Sequence, residues 1–228
     1  MRASDRAYAA LLEEIQSGVL APGTVIGEVE QSTRLGVSRT PLREAIARLV
    51  ADGLVRQQSA RMLVVSGFDA DDIRRLFEAR RSFEETAARL AVSRGDRAVF
   101  AELADAFDQA HPERGALAAD SYYELIQQFD AAVDAAVDNV YLVQALRNTR
   151  THLARARRLA RDNEARLVAS VSEHALIARA IADGDAELAA HATHVHLHHA
   201  LRSILASIAA DAPETETKRT NRLSKGSS

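Results

Sequence analysis

Hydroxyl and guanidinium side chains cluster at the start of a predicted amphipathic helix within LGVSRTPLREAIARLVADGLV, residues 35–55. Arginine can donate two hydrogen bonds to the O6 and N7 atoms of guanine, and hydroxyl groups at a helix N-terminus suit phosphates. This chemistry predicts contact with DNA. The candidate DNA-contacting residues are Ser38, Arg39, Thr40, Arg43, Arg34 and Arg61. The opposite face of the helix predicts a buried surface formed by Leu42, Ile46, Leu49 and Val50.

The charge distribution favours the same interpretation over a solvated arginine face. Residues 34–61 contain six arginines against Glu44 and Asp52, a local balance of +4 in a chain whose net charge is −3. A basic patch on a mildly acidic protein is a typical electrostatic footprint for DNA. A nonspecific, nucleoid-type DNA binder is an alternative, but it would need more positive charge than the whole chain carries.

The elements around this helix form a recognisable pattern. Helices are predicted over 7–17 and 28–35, and a third begins at Ser38 or Thr40 and ends near Asp52-Gly53. The stretch LVRQQSARMLVVS then predicts two short strands with a turn around residues 58–61. Helix, helix, turn, helix and hairpin together indicate a winged helix-turn-helix domain. Ser66-Gly67 is expected to act as a short hinge.

The rest of the chain is predicted to be almost entirely helical. Apolar residues recur with a period near 3.6 in the segments 69–93, 96–109, 116–137, 140–160, 165–183 and 185–210. Short connections between six helices predict an antiparallel bundle, so the fold class is mainly α with one small β-hairpin. We expect a DNA-binding domain at 1–66, an effector-binding and dimerisation domain at 67–211, and a polar, disordered tail at 212–228.

Composition excludes several classes of protein. The 228 residues are 47% hydrophobic and 27% charged, which is typical of a globular protein. No cysteine is present, so disulfides, thiolate metal sites and cysteine nucleophiles are excluded. No apolar run is long enough to cross a membrane, and the N-terminal stretch is too charged for a secretory signal. We therefore expect a cytoplasmic protein with no membrane partner.

The N-terminal pattern resembles the DNA-binding domain of the GntR family of bacterial transcription factors. The matching residues are Ile15-x-x-Gly18, Pro22-Gly23, Glu28 and nearly all of the stretch at 35–55. The resemblance implies that Ser38, Arg39, Thr40 and Arg43 contact a DNA operator and that the hairpin reaches the minor groove. The chain departs from its relatives at Val29, where they often have arginine, and at the tip of the hairpin, where they tend to have glycine.

The C-terminal part resembles the FadR-type effector domain, called FCD, of the same family. FEARRSFEETAARLA resembles its first helix, with Arg80 and Glu84 on the inner face, and EHALIARAIADGDAELA resembles a segment with a buried histidine, His174. In many such domains an aspartate and three histidines bind a divalent metal. Aligned through Phe129 and Asn139, the usual aspartate becomes Ile126 and the usual histidine becomes Asp130, whereas His174 and His196 remain.

The resemblance therefore implies an altered metal site formed by Asp130, His174 and His196. Two imidazoles and one carboxylate suit zinc, nickel, manganese or iron(II). The alternative is a metal-free pocket in which these three residues bind the effector directly, together with Arg80. Family members favour small organic acids, and Arg155 or Arg158 could add a guanidinium, although a solvated helix face is the preferred interpretation of both.

Several histidines in HATHVHLHHA, residues 191–200, need a separate interpretation. At 100° per residue, His191, His194 and His198 share one helix face, which we expect to be solvated or part of an interface. His196 lies on the other side and is expected to face the bundle. His199 could lie near His196, but helical position alone does not decide this.

The sequence as a whole predicts a ligand-responsive transcriptional regulator, and we expect a repressor. It would bind a palindromic operator as a homodimer, because one recognition helix contacts only a few base pairs. The alternative from another class is a metal-dependent enzyme that uses the two-histidine and carboxylate pocket. That alternative lacks a plausible general base or nucleophile and leaves the N-terminal domain without a role.

Overall fold

The computed structural model describes residues 1–59, 62–110, 119–158 and 164–211. Over these residues the fold class is confirmed: a winged helix-turn-helix with one antiparallel hairpin precedes an all-helical bundle. In chain order the elements are α1 Ala3–Ser17, α2 Glu28–Leu35, α3 Arg39–Ala51, β1 Val55–Ser59, β2 Met62–Val65, α4 Ala70–Arg94, α5 Arg97–Gln109, α6 Ala119–Val137, α7 Val140–Arg158, α8 Glu164–Asp183 and α9 Ala186–Asp211.

The N-terminal domain packs α1, α2 and α3 around one small core. Gly36 ends α2 in the left-handed conformation, with φ at 63°, and Ser38 is the N-cap of α3. These two residues set the sharp turn between α2 and α3, because a non-glycine residue at a positive φ would be strained. The fully buried side chains of this core include Leu11, Leu42, Ala45, Leu49 and Leu54.

The prediction that Val50 of α3 lies in the core is wrong. Val50 is 39% exposed, while Ala45 is fully buried. The buried residues of α3 are Leu42, Ala45, Ile46 and Leu49. They follow the spacing i, i+3, i+4, i+7 of a single helical stripe, and Val50 lies at the edge of that stripe.

The C-terminal domain surrounds α4 with the other helices of the bundle. The side chain of Asp69 caps the first turn of α4, and Asp72 reaches back to the backbone of Asp69 in a capping box. Helix α4 packs against α6, α7, α8 and α9, and α5 packs against α8. Because α4 contacts four other helices, its inward side chains are surrounded by residues from distant parts of the sequence.

Helix α7 is the main link between the two domains. The side chain of Gln16 donates to the carbonyl oxygen of Thr151 at 3.2 Å. The Nε2 atom of His152 lies 2.7 Å from the carbonyl oxygen of Asp52, and Arg155 donates to the carbonyl oxygen of Ser66 at 2.6 Å. The predicted hinge at Ser66 is therefore held by a side chain of α7.

Some predictions fall outside the described residues. These are the disordered tail at 212–228, the side chain of Arg158, and residues 60 and 61 of the hairpin turn, including Arg61. Among the described residues, no helix is both long and apolar enough to cross a membrane.

Candidate DNA interface and effector pocket

The start of α3 presents its polar side chains to solvent. Ser38, Arg39, Thr40 and Arg43 are all exposed. Ser38 makes no capping hydrogen bond with its side chain. The Nε atom of Arg43 lies 2.8 Å from a carboxylate oxygen of Glu28, in an ion pair whose arginine side chain is 63% exposed. The geometry thus presents hydroxyl and guanidinium groups where a major groove could receive them.

Arg34 has a clear role within the fold. Its guanidinium donates to both carboxylate oxygens of Glu14 on α1 and to the side chain of Gln31 on α2. The hydrogen bond with Glu14 raises the pKa of Arg34 above its ordinary value. We infer that Arg34 fastens α2 to α1, and its contact with DNA stays a prediction. Arg61 cannot be placed, since it lies outside the described residues.

A cavity of about 40 Å³ lies inside the C-terminal bundle. This volume holds about three water molecules, so the cavity as it stands suits a small molecule. Its polar lining residues are Arg80, Glu84, Asp130, Arg150, His174, Thr193 and His196, and its apolar lining includes Ile126, Phe129, Leu146 and Leu153. The structure therefore brings together the four predicted effector-binding residues Arg80, Asp130, His174 and His196.

Arg80 and Glu84 form the most buried ion pair of this cavity. The Nε atom of Arg80 donates to Glu84 at 2.7 Å, and its guanidinium lies 4.6 Å from the ring centroid of Phe77. The Arg80 side chain is 4% exposed. Burial raises the pKa of the Glu84 carboxyl group, but the charge and hydrogen bonds of Arg80 outweigh burial, so that pKa lies below its ordinary value. The Glu84 carboxyl group is therefore charged at neutral pH.

Arg150 is a pocket residue that the sequence analysis missed. It pairs with Asp130 at 3.2 Å and with Asp134 at 2.7 Å. The spacing of Leu146, Arg150 and Leu153 places all three on one face of α7, and this periodicity is the signal that could have identified Arg150. Conversely, Arg155 does not lie on a solvated helix face, so the interpretation that the sequence favoured for this residue is wrong. It is 7% exposed and lies at the junction between the domains.

The hydrogen bonds of the two buried histidines determine which ring nitrogen carries the lone pair. The Nδ1 atom of His174 lies 2.8 Å from the carbonyl oxygen of Ser170, which can only accept, so Nδ1 is the donor. The Nδ1 atom of His196 likewise donates to Glu173 at 2.7 Å. In the neutral rings the lone pair is then on Nε2. The ring centroids of His174 and His196 are 4.4 Å apart.

Glu173 supports the second of these histidines from outside the cavity. Its carboxylate also accepts from Arg166 at 2.6 Å and from His199 at 2.7 Å. Burial raises the pKa of Glu173, but hydrogen bonds from His196, Arg166 and His199 outweigh burial and lower it to about 2. Burial lowers the pKa of His196 below its ordinary value despite the hydrogen bond with Glu173, so the neutral imidazole is favoured.

The predicted metal ligands share a cavity but do not form a ligand cluster. Within the described part of the chain, no three His, Asp or Glu side chains are grouped so that they could hold a metal ion. Asp130 is drawn instead toward Arg150, whose positive charge competes with a metal for the carboxylate. Ile126, at the position of the usual aspartate, offers no donor atom. Asp130 therefore does not join the two histidines in a three-ligand group, and metal binding through His174 and His196 stays a prediction.

The remaining histidines of α9 lie as the helical wheel predicts. His191 and His198 are exposed, and the Nδ1 atom of His194 lies 2.9 Å from a carboxylate oxygen of Glu85. His199 shares the carboxylate of Glu173 with His196 but does not line the cavity. The three-histidine stripe thus lies on the outer surface of the bundle, separate from the pocket.

Comparison with known proteins identifies both halves of the chain. Residues 3–65 match the profile of the bacterial regulatory proteins of the gntR family, and residues 75–199 match the FCD domain. The chain belongs to the GntR family. Within that family it carries the FCD type of C-terminal domain, as its sequence predicted.

Relatives of this GntR protein carry the names of transcriptional regulators. The Nta operon transcriptional regulator of Aminobacter aminovorans is 32% identical over 60% of this chain and 64% of its own length. The HTH-type transcriptional repressor RspR of Escherichia coli is 25% identical over 86% of each chain. The chain spans only part of the length of the first curated relatives it matches: 51% of one and 64% of the Nta operon regulator.

A solved structure shares the whole fold. Escherichia coli McbR/YncC superposes with a TM-score of 0.73 over 91% of this GntR protein and 99% of that chain, at 18% sequence identity. At this identity the similarity concerns the fold alone. It covers the winged helix-turn-helix and the bundle together, so the order and packing of the elements are shared with that structure.

Proposed function

We propose that this GntR protein is a DNA-binding transcriptional regulator whose affinity for its operator is changed by a small carboxylic acid bound in the bundle. The observation that carries the proposal is the cavity in the bundle lined by Arg80 and Arg150, with His174 and His196 beside them. Guanidinium groups bind carboxylates through paired, charge-assisted hydrogen bonds. The cavity volume favours an acid with few heavy atoms.

The DNA-binding arrangement proposed here is a homodimer on a palindromic operator. Exposed Arg39 and Arg43 supply base contacts, while Ser38 and Thr40 suit the phosphates. One α3 helix contacts only a few base pairs, so two copies related by a two-fold axis are needed for specificity. Repression is the proposed direction, in keeping with the name of RspR, and the cytoplasm is where such a protein meets DNA.

Helix α7 provides a route from the cavity to the DNA-binding domain. One face of α7 lines the cavity with Leu146, Arg150 and Leu153. Neighbouring residues of the same helix, Thr151 and His152, contact the N-terminal domain. An acid that takes Arg150 away from Asp130 changes the position of α7, and thereby favours one placement of α3 over another. The acid can shift the equilibrium between the two placements of α3 only by as much as its binding free energies to them differ.

A screen of small mono- and dicarboxylic acids by thermal unfolding tests the pocket. We expect at least one acid to raise the Tm of the wild-type protein, and Arg150→Gln to weaken binding of that acid by about tenfold or more. The matched control is Arg147→Gln, because Arg147 also pairs with Asp134 but lies outside the cavity. Equal binding by wild type, Arg150→Gln and Arg147→Gln would overturn the proposed role of the cavity.

A metal-assisted form of the same sensor is the second candidate. It is favoured by the hydrogen bonds at Nδ1 of His174 and His196, which direct both lone pairs to Nε2, as is common for metal-binding histidines. Such a metal would supply positive charge for a carboxylate. Metal content per chain, compared between wild type and His174→Ala/His196→Ala, tests it: about one equivalent that the double variant loses supports the metal, and equal contents reject it.

A further inference from the structure

A second cavity lies between the two domains. It is an open cleft of about 620 Å³, far larger than the cavity in the bundle. The backbone of Gly53, Ser66 and Gly67 contributes to its walls from the N-terminal domain and the hinge. Its charged lining residues are Arg56 on β1, Asp72 and Arg75 on α4, and Arg155 on α7, and His152 lies beside them. The cleft is thus lined by arginines from both domains.

The charges of this junction cleft are not balanced within the described residues. Arg75 pairs with Asp72 at 3.2 Å. Arg56 and Arg155 form no ion pair with an acidic side chain in the part of the chain that the structure describes. Arg155 is nevertheless 7% exposed, and donates to the carbonyl oxygen of Ser66. Three arginines against one aspartate leave an excess of two positive charges around a cleft large enough for a small-molecule ligand.

Arg155 is the residue that most clearly needs a counter-charge. Burial lowers the pKa of its guanidinium below the ordinary value, and the charge of Asp72 offsets only part of that effect. Its guanidinium lies 4.9 Å from the ring centroid of Phe68, which leaves the planar N–H groups of its edge to meet polar partners. Among the described residues its one hydrogen-bond partner is the carbonyl oxygen of Ser66, and a buried arginine of this kind suits an anion with several oxygen atoms.

We propose that the junction cleft is a second ligand site, separate from the bundle cavity, and that it binds a small phosphate-bearing molecule through Arg56, Arg75 and Arg155. Phosphate oxygens accept paired hydrogen bonds from guanidinium groups and can bridge arginines that belong to different elements. Because Arg56 belongs to the winged helix-turn-helix and Arg75 to the bundle, the bound anion holds the two domains in their present arrangement. The site is independent of the effector pocket and its acid.

Inorganic pyrophosphate is a suitable probe, since its two phosphates can reach arginines on both sides of the cleft. Titration calorimetry on the full chain in phosphate-free buffer is expected to show one saturable site per chain. Arg56→Gln and Arg75→Gln should each weaken binding by about tenfold, since each removes a charge-assisted contact. Both side chains are exposed, so these variants should fold. The matched control is Arg74→Gln, an exposed arginine of α4 that does not line the cleft.

Three outcomes would overturn the second site. One is the absence of saturable pyrophosphate binding to the wild type, or equal affinity in all variants. Another is loss of binding in Arg150→Gln with retention in Arg56→Gln, because the anion would then be in the bundle cavity. The third is weaker binding of DNA by Arg75→Gln without any pyrophosphate binding to the wild type, which would assign the cleft to the DNA backbone.

Discussion

The start of α3 and the bundle cavity both depend on arginine, but the two regions use it in opposite ways. Arg43 pairs with Glu28 in an ion pair whose arginine side chain is 63% exposed, whereas the side chain of Arg80 is 4% exposed beside Glu84. An exposed ion pair contributes little to stability, so Arg43 can leave Glu28 for DNA at small cost. A buried ion pair cannot lose one partner without leaving the other charge buried. The contrast separates residues that serve binding from residues that serve both binding and folding.

The largest expected effect concerns the buried member of this comparison. Arg80→Ala should lower the free energy of unfolding by about 3–5 kcal/mol, because it leaves the carboxylate of Glu84, which is only 20% exposed, without its arginine partner. Chemical denaturation followed by circular dichroism measures this change. The control is Arg80→Met/Glu84→Leu, which replaces both charges and should recover most of the loss. If Arg80→Ala is as stable as the wild type, Arg80 is not needed for folding and does not differ from Arg43 in this respect.

At Arg43, the exposed arginine of this comparison, a smaller effect is expected, and it concerns DNA affinity and not stability. Arg43→Ala should weaken specific operator binding by about 1–3 kcal/mol if Arg43 contacts a base. The free energy of unfolding should change by less than about 1 kcal/mol, since the ion pair with Glu28 is exposed. Fluorescence anisotropy with labelled operator measures the first quantity and denaturation measures the second.

The matched control for Arg43 lies on the same helix. Arg48 pairs with Asp5 at 2.9 Å and lies 4.0 Å from the ring centroid of Tyr8, so it faces α1. Arg48→Ala carries the same change of charge and should leave base discrimination intact. An Arg43→Ala variant that binds the operator as tightly as Arg48→Ala does would contradict the assignment of the DNA interface to the start of α3.

A pH-dependent effect is expected at a carboxylate that supports the cavity wall. The pKa of Glu173 is lowered from 4.5 to about 2 in the folded protein. Its contribution to stability is therefore complete above pH 4.5 and is lost as the pH falls toward 2. In Glu173→Gln the free energy of unfolding should therefore fall less steeply than in the wild type as the pH is lowered from 4.5 toward 2. Glu78→Gln, an exposed glutamate of α4, is the control, and identical slopes for all three proteins would contradict this role of Glu173.

The DNA-binding domain could be predicted from the sequence almost completely, although α1 begins at Ala3 and not at the predicted residue 7. The bounds of α2 and α3, the turn at Gly36 and both strands follow from local signals such as caps, glycines and β-branched residues. The error at Val50 arose at the edge of a helical stripe, where periodicity does not separate buried from exposed residues well. In this domain the candidate DNA-contacting residues are neighbours in sequence, so local patterns are sufficient to propose them, and their contact with DNA stays a prediction.

The cavity could be predicted only in part, because its residues come from α4, α6, α7, α8 and α9. The resemblance to FCD domains supplied Arg80, Asp130, His174 and His196. It did not supply Arg150 or Glu173, whose partners lie on other helices. The ion pair between Asp130 and Arg150 depends on how α6 packs against α7, and this packing is not encoded in any local pattern. The same holds for Arg155, which the junction of the two domains buries.

The effect of the acid on operator affinity tests the central claim most directly. Anisotropy titrations would compare wild type and His152→Ala, with and without a saturating concentration of an acid that raises the Tm of both. The claim that α7 couples the cavity to α3 predicts that the acid changes wild-type affinity by about fivefold or more. It predicts a smaller change in His152→Ala, which lacks the contact with Asp52. An operator affinity of the wild type that the acid leaves unchanged would contradict the account.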